Sequence, residues 1–245
     1  MQKFIIDPEE SRQGQVCITG QDARHIRRVL RLKEGDPLSM TDGRGTDYSG
    51  EILTLGQDRV EISILGQKQS GTESSLDLTV CSAMLKDKKM DGVIKQLTQL
   101  GVTRWIPFYS DRSVPGPKAG KLSRRMERWE TIARESLKQC RRSCLVDISP
   151  PIAFGEVLER SEPFFHKIAF WEEASLPLSR LKNNKGNSAV VLIGPEGGFT
   201  KTEILKAEDA GFAAYSLGPR ILRAETAALT AAGIVQFMLG DMGSP

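Results

Sequence analysis

Cysteine and histidine are scarce in this sequence. Among its 245 residues there are four cysteines and two histidines, and their positions do not follow the spacing of a metal site. We therefore expect no bound metal and a reduced, cytoplasmic setting. The cysteines are Cys17, Cys81, Cys140 and Cys144.

Long apolar runs are missing too. No window approaches the ~18 consecutive apolar residues of a membrane span. The opening stretch MQKFIIDPEE has only a short apolar run, and acidic residues follow it directly. That pattern is not typical of a signal peptide, so we expect no membrane association.

Two common nucleotide-binding motifs do not occur. The sequence has neither the G-x-G-x-x-G of a dinucleotide-binding unit nor the G-x-x-x-x-G-K-[ST] of a P-loop. Both of these nucleotide-binding classes are therefore disfavoured.

The first 70 residues predict a small β-rich domain with one helix. Short strand-like runs flank Asp42-Gly43, a hairpin turn signal. The segment QDARHIRRVLRL predicts a helix with Asp22 as its N-cap. A polar stretch from Gly66 to Ser75 follows, and within it we place a linker at residues 71–75. The predicted apolar stripe of the helix consists of Ile26, Val29 and Leu30.

Residues 76–245 predict an α/β domain with a mainly parallel sheet. Short apolar strand candidates alternate there with longer helix candidates. Thr200 and Glu203 form a capping-box pattern, with Gly211 placed to end that helix. The last helix, Glu225 to Leu239, is apolar on nearly every face, so we expect it to be buried on all sides, with a subunit interface as one means. The helix starts are predicted near Met90, Lys121, Phe154, Thr200 and Arg223.

Two Gly-Pro turns follow predicted strands. In VVLIGPEGGFT, residues 190–200, a strand meets adjacent glycines that allow a ligand to approach the backbone. A tight strand-to-helix turn explains that segment equally well, and Glu196 argues against a phosphate ligand. The second turn lies in SLGPRILRAETAALTAA, residues 216–232. Arg220 and Arg223 of this segment precede a predicted helix. Positive charge is unfavourable at a helix N-terminus, so its presence there suggests a functional role.

Together, LIGPEGGFT and LGPRILRAETAALTA resemble the signature of SPOUT-class methyltransferases. Nearly the whole chain most resembles the ribosomal RNA small subunit methyltransferase E family, which methylates N3 of a uridine in 16S ribosomal RNA. Other matching segments are DARHIRRVLRLKEGD, DGRG, KKMDGVIKQLTQLGV, SDRSV and QCRR. The resemblance implies a PUA-like RNA-binding β-barrel over residues 1–70 and a SPOUT methyltransferase domain with a trefoil knot over 76–245. It also implies a homodimer, S-adenosyl-L-methionine as methyl donor, and the small ribosomal subunit as partner.

The same resemblance implies the site residues. Arg223 would stabilise negative charge on the uracil, and Glu225 or Glu196 would orient Arg223 or accept the N3 proton. A further knot loop is expected near Phe170, Trp171 and Glu172. The expected cofactor-binding residues are Ile193, Gly194, Pro195, Glu196, Gly197, Gly198, Leu217, Gly218, Ile221, Leu222 and Arg223.

Basic residues predict the RNA contacts. The net charge is only +3, but five Lys or Arg and no acid lie between Arg24 and Lys33. A run of basic residues is more often a solvated helix face, but the absence of acidic residues from this run favours contact with RNA phosphates. The predicted RNA-binding residues are Arg24, His25, Arg28, Arg31, Lys86, Lys89, Arg112 and Arg142.

Two other functions remain open from the sequence. A methyltransferase of the same fold could act on a ribose 2′-hydroxyl or on transfer RNA. The chain could also be an RNA-binding assembly factor without turnover. Four positions depart from the family pattern: Gln96 and Gln99 replace a usual Lys and Glu, Arg141 stands where Gly is frequent, and Lys138 stands where Glu is common.

Overall fold

A computed structural model describes residues 3–11, 13–86, 88–113, 119–181 and 186–243, with the backbone alone at residues 119 and 120. The chain divides into two compact units. The first contains residues 1–73 and 137–145, and the second contains 74–136 and 146–245. The domain boundaries proposed from the sequence stay a prediction. They placed residues 137–145 in the second domain, whereas these residues cluster with the first unit.

The first unit is built on a five-stranded sheet of order β1-β3-β4-β5-β2. β1 and β3 are parallel and the other pairs are antiparallel. In chain order the elements are β1 Lys3–Ile5, a short 3-10 helix Pro8–Glu10, β2 Gln15–Thr19, α1 Gly20–Arg28, β3 Pro37–Thr41, β4 Thr46–Leu55 and β5 Arg59–Gln69.

Alternating side chains build the core of the first unit. In β2, Val16 and Ile18 are buried and their neighbours are exposed, as expected for a strand with one face on a core. The turn between β3 and β4 contains Gly43 at φ +73°, a value that glycine adopts without strain. The hairpin signal at Asp42-Gly43 is therefore confirmed.

Two details of the predicted α1 are wrong. The helix begins earlier, with Thr19 at the N-cap position, and the carboxylate of Asp22 instead accepts hydrogen bonds of 2.7 and 2.9 Å from Lys138 Nζ. The helix also ends at Arg28, so Val29 is 64% exposed, and Leu30 is exposed with it. Of the predicted stripe only Ile26 is buried in the core.

The predicted linker is ordered over most of the Gly66–Ser75 stretch. Residues 66–69 are the end of β5. Beyond them, the Glu73 carboxylate accepts hydrogen bonds from the Arg142 guanidinium at 3.0 and 2.8 Å and from the Cys144 backbone N–H at 3.0 Å. The polar composition of this stretch therefore does not correspond to a segment without hydrogen bonds to the rest of the first unit.

Two of the unusual residues of the 138–142 segment have structural explanations. Arg141 has φ +64°, a left-handed conformation that glycine adopts at lower cost, which accounts for a preference for Gly at this position. Lys138 is 5% exposed and is paired with Asp22. Its charge is therefore used within the first unit.

The second unit is built on a parallel sheet of order β12-β10-β11-β6-β7-β8, with β9 also pairing β7. The elements are β6 Asp77–Ala83, α2 Lys89–Gln99, β7 Arg104–Tyr109, α3 Ala119–Cys140, β8 Asp147–Ile148, β9 Ile152–Ala153, α4 Phe154–Arg160, β10 His166–Phe170, a 3-10 helix Leu178–Arg180, β11 Ser188–Ile193, α5 Lys201–Asp209, β12 Ala213–Tyr215 and α6 Ala224–Leu239.

The pattern of this unit confirms the α/β prediction. β6 and β11 are buried along nearly their whole length, as expected for central strands covered on both faces. The capping box between Thr200 and Glu203 is present at the start of α5. β12 ends at Tyr215, before the Gly218-Pro219 turn.

The last helix is not buried on all sides within one chain. Ala228, Ala231 and Val235 lie on a fully buried face. On the opposite side Phe237 is 70% exposed, so the predicted burial holds for one face only. In the part of the chain that the structure describes, no helix has the length and apolarity needed to cross a bilayer.

Candidate functional site

Three neighbouring strand ends define the site. β10 lies between β11 and β12 in the sheet, and all three run parallel. At the carboxyl edge Phe170 is in register with Ile193 on one side and with Tyr215 on the other. The loops that follow these strands therefore leave the sheet side by side, where α/β proteins bind ligands.

These loops enclose a cavity of about 600 Å³. Its walls are formed by the GPEGG loop (residues 194–198), the GPR loop (residues 216–222) and the end of β10 with the two residues that follow it. The lining residues are Phe170, Trp171, Glu172, Ile193, Gly194, Pro195, Glu196, Gly197, Gly198, Phe199, Ser216, Leu217, Gly218, Pro219, Arg220, Ile221, Leu222, Ala224 and Ala227. The two Gly-Pro turns, separate in sequence, thus share one cavity.

All predicted cofactor-binding residues except Arg223 line this cavity, as do the three residues expected after β10. Six lining residues were not in the predicted set: Phe199, Ser216, Pro219, Arg220, Ala224 and Ala227. All six lie within or next to the two Gly-Pro motifs, so their position in the sequence was the signal that could have identified them.

The glycines of the GPEGG loop allow close packing. A Cβ on Gly194 would lie 3.1 Å from the backbone nitrogen of Phe199. Gly198 has φ +68°, and its missing Cβ would collide with the carboxylate of Glu172. The Gly198 N–H donates to the Pro195 carbonyl at 2.9 Å and closes a turn. The loop therefore presents backbone, rather than side chains, at these positions.

The turn after β7 holds the GPEGG loop in place. Arg112 donates from Nη1 to the carbonyl of Gly197 at 2.7 Å. The Asp111 N–H donates to Glu203 Oε1 at 3.0 Å, and Thr200 Oγ1 donates to Asp111 Oδ2 at 3.3 Å. The structure therefore places Arg112, which was predicted to contact RNA, against the GPEGG loop.

Lys89 joins the GPEGG loop to α6. Its ammonium lies 3.1 Å from Glu196 Oε1 and 3.5 Å from Glu225 Oε2. Lys89 was predicted to contact RNA, but its charge is shared by these two carboxylates. The predicted RNA contact of Lys89 stays a prediction.

The Lys89–Glu196 pair keeps Glu196 ionised. The hydrogen bond to Glu196 raises the pKa of Lys89. Burial raises the pKa of Glu196, but the hydrogen bond and charge of Lys89 outweigh it, so the pKa falls below 4.5. Because a carboxyl with a lowered pKa stabilises the fold above its unfolded pKa, this contribution is lost only as the pH falls through the folded value. At neutral pH Glu196 is a poor proton acceptor.

The two predicted catalytic residues flank the cavity wall. Arg223 is exposed at the N-cap position of α6, and Glu225 is in its first turn; the residue between them, Ala224, lines the cavity. Glu225 Oε2 is buried, and among the described residues it has no hydrogen bond of good geometry; its ion pair with the Lys89 ammonium is long, at 3.5 Å. A buried carboxylate oxygen with an open acceptor position is suited to receive a proton.

The basic residues of the first unit do not form one helical stripe. Arg24 and Arg28 are exposed on α1, and Arg24 Nε lies 3.3 Å from Asp58 Oδ1. Arg31 follows the helix at φ +54°, so the predicted stripe over Arg24, Arg28 and Arg31 is wrong in its third member. His25 is half-buried beside Phe4, with the ring centroids 6.3 Å apart.

Of the remaining predicted RNA contacts, Lys86 is exposed and Arg142 is not. Arg142 is 3% exposed and bonded to Glu73. A buried, paired guanidinium has no free surface for a phosphate, so this prediction is wrong. Among the residues that the structure describes, no group of three or more potential ligands could hold a metal ion.

Comparison with known proteins places these features in a family. The sequence pattern of the RNA methyltransferase domain matches residues 72–236, and that of the RNA methyltransferase PUA domain matches residues 18–65. Both matches include segments described above.

Individual relatives match over nearly the whole chain. Ribosomal RNA small subunit methyltransferase E of Bacillus subtilis (strain 168) is 28% identical over 97% of this chain and 96% of its own length. The protein of that name from Buchnera aphidicola subsp. Schizaphis graminum (strain Sg) is 32% identical over 93% and 92%. The crystal structure of ribosomal RNA small subunit methyltransferase E from Neisseria gonorrhoeae bound to S-adenosyl methionine has a TM-score of 0.88, 30% identity and 99% coverage of both chains.

Proposed function

The chain belongs to the ribosomal RNA small subunit methyltransferase E family, and we propose on that premise that it methylates N3 of a uridine in 16S ribosomal RNA with S-adenosylmethionine. The observation that carries the proposal is the single cavity formed by the GPEGG and GPR loops. We assign RNA binding to a PUA-like domain over residues 1–70, joined by a linker at 71–75, and methyl transfer to residues 76–245.

The cavity fits the methyl donor. Its volume of about 600 Å³ lies within the ~300–1,000 Å³ typical of small-molecule sites. Leu217, Ile221 and Leu222 supply apolar surface for a purine ring, and the glycines leave backbone polar groups accessible. When bound, S-adenosylmethionine supplies a methyl group as an electrophile and leaves as a neutral thioether.

The residues next to the cavity would handle the uridine proton. N3 carries a proton at neutral pH, and this proton must leave before or during attack. Glu225 is the better acceptor of the two candidate carboxylates, because the Lys89 ammonium lies closer to Glu196, at 3.1 Å, than to Glu225, at 3.5 Å. Arg223 would stabilise the negative charge that develops on a uracil carbonyl oxygen.

The proposal includes a trefoil knot in residues 76–245, a homodimer and a cytoplasmic location. The exposed side of α6 supports the dimer, since Phe237 is 70% exposed there. Large apolar side chains on one helix face are typical of subunit interfaces.

Phe237→Asp tests the dimer. We expect the variant to raise the dimer dissociation constant about 100-fold or more, because a two-fold interface would lose two buried rings and gain two charges. Sedimentation over a concentration series measures this. Leu205→Asp on α5 is the control, since Leu205 is 53% exposed and is not assigned to the interface. Equal association of the wild type and the Phe237 variant would contradict the assignment.

Arg28→Ala tests RNA binding by the first unit. Arg28 is exposed at the end of α1, so losing one phosphate contact should reduce the slope of log affinity against log salt by about 1. Affinity for 16S RNA fragments is measured between low and physiological salt. Arg160→Ala is the control, because Arg160 is an exposed residue of α4 that pairs with Glu156. An unchanged slope for Arg28→Ala would remove this residue from the interface.

One assay tests the function as a whole. Labelled methyl transfer is measured in parallel to unmodified 30S subunits and to naked 16S RNA, and the product nucleoside is identified by mass spectrometry. We expect 3-methyluridine. A ribose-methylated product or activity on transfer RNA alone would replace the proposed substrate. Calorimetry that finds no binding of S-adenosylmethionine would favour a non-catalytic RNA-binding role.

A further inference from the structure

The cavity contains charged side chains in different electrostatic states. Its charged lining residues are Glu172, Glu196 and Arg220. Glu196 is paired with Lys89 at 3.1 Å. Among the described residues no ion pair or hydrogen bond involves the carboxylate of Glu172, and this carboxylate packs against Gly198 in the space where other residues have a Cβ. Glu172 is thus an exposed carboxylate at the cavity wall that has no cationic partner among the residues the structure describes.

We propose that Glu172 is a specificity-determining residue that makes the site prefer the cationic methyl donor to its neutral product. This inference rests on the proposed function. S-adenosylmethionine and S-adenosylhomocysteine share the adenosine and amino-acid groups and differ in the methyl group and the positive charge on sulfur. A carboxylate lacking a counter-ion interacts more favourably with the ligand that carries this charge.

Neither of the other charged residues can make this distinction. The field of Glu196 is reduced by the ammonium of Lys89, which Glu196 shares with Glu225. Arg220 is exposed and positive, so it repels a sulfonium, and its favourable partner would be the carboxylate that both ligands possess. Discrimination by charge therefore falls to Glu172.

The position of Glu172 makes the preference useful. Its carboxylate lies beside Gly198 of the GPEGG loop, where a Cβ would collide with it, and Glu172 lines the cavity. When the methyl group is transferred, the charge that favours binding disappears. The product then leaves more easily, and product inhibition is reduced.

Glu172→Gln tests the inference without altering side-chain shape. Calorimetry measures the dissociation constants of S-adenosylmethionine and S-adenosylhomocysteine for the full-length protein without RNA. We expect the variant to weaken binding of the methyl donor about fivefold and to change binding of the product less than about twofold. The ratio of the two constants should also fall with added salt in the wild type and stay flat in the variant.

Glu173→Gln is the matched control, because Glu173 is exposed and does not line the cavity. It should leave both constants unchanged, and Glu172→Asp, which keeps the charge, should retain most of the preference. Equal weakening of both ligands by Glu172→Gln would overturn the inference, since Glu172 would then bind a group common to both. No change in either constant would overturn it too. A wild-type protein that binds neither ligand would instead refute the proposed function.

Discussion

Gly198→Ala is expected to weaken binding of S-adenosylmethionine about 10- to 100-fold. Gly198 has φ +68°, and an alanine in a left-handed conformation costs about 1–2 kcal/mol. The new Cβ would also collide with the carboxylate of Glu172, so either that side chain or the GPEGG loop must move. Both form walls of the cavity, and calorimetry with the methyl donor measures the loss.

Gly211→Ala separates backbone strain from damage to the cavity. Gly211 has φ +89°, but its added Cβ would only reach ordinary contact distance, 3.7 Å from the Lys167 side chain. Gly211 does not line the cavity. Both variants should therefore unfold at lower temperature, while only Gly198→Ala loses ligand affinity. Similar affinities in the two variants would contradict the assignment of the GPEGG loop to the cofactor site.

The two loops that line the cavity could be predicted from sequence because their turn signals are local. Gly-Pro turns and adjacent glycines encode backbone geometry within a few residues, and apolar strands before them place the turns at the edge of a parallel sheet. The capping box at Thr200 is equally local. These signals do not depend on the rest of the chain, and the structure confirms the parallel sheet that positions the two loops.

Features that depend on distant partners were not predictable in this way. Lys89 meets Glu196 and Glu225, which lie more than 100 residues further along the chain, and in sequence it resembles any other lysine in a basic stretch. Arg142 likewise is buried by its pairing with Glu73. The identity of a basic residue gives its charge, but only the fold determines whether an acid neutralises it.

The end of α1 shows a different limit. The periodicity of Ile26, Val29 and Leu30 favours a longer helix, yet Val29 and Leu30 are exposed. The chain leaves the helix after Arg28 and adopts a left-handed conformation at Arg31. Neither glycine nor proline marks this point, and the basic run that contains the last-turn residues His25, Arg27 and Arg28 was assigned to RNA contact rather than to a helix end. The apolar composition of α6 correctly predicted a buried helix face. Composition does not show, however, which of the helix faces are buried within a single chain.

Glu225→Gln is expected to lower the single-turnover rate of methyl transfer about 100- to 1,000-fold, with binding of S-adenosylmethionine changed less than about threefold. The buried Oε2 of Glu225 has an open acceptor position among the described residues, and an amide cannot take up the N3 proton. Removal of a positioned general base costs about this much. Rapid-quench measurements on unmodified small subunits, with enzyme in excess, give the rate.

Two comparisons separate proton transfer from a structural role. Glu196→Gln should have a smaller effect on the rate, because Glu196 is held as the ionised partner of Lys89. Subunits reconstituted with 5-fluorouridine present a more acidic N3, so the defect of Glu225→Gln should shrink on them, whereas a variant that merely distorts the site would be equally slow on both substrates. If Glu225→Gln turns over at the wild-type rate while Glu196→Gln does not, the proton acceptor is Glu196, and the pairing with Lys89 must break before chemistry.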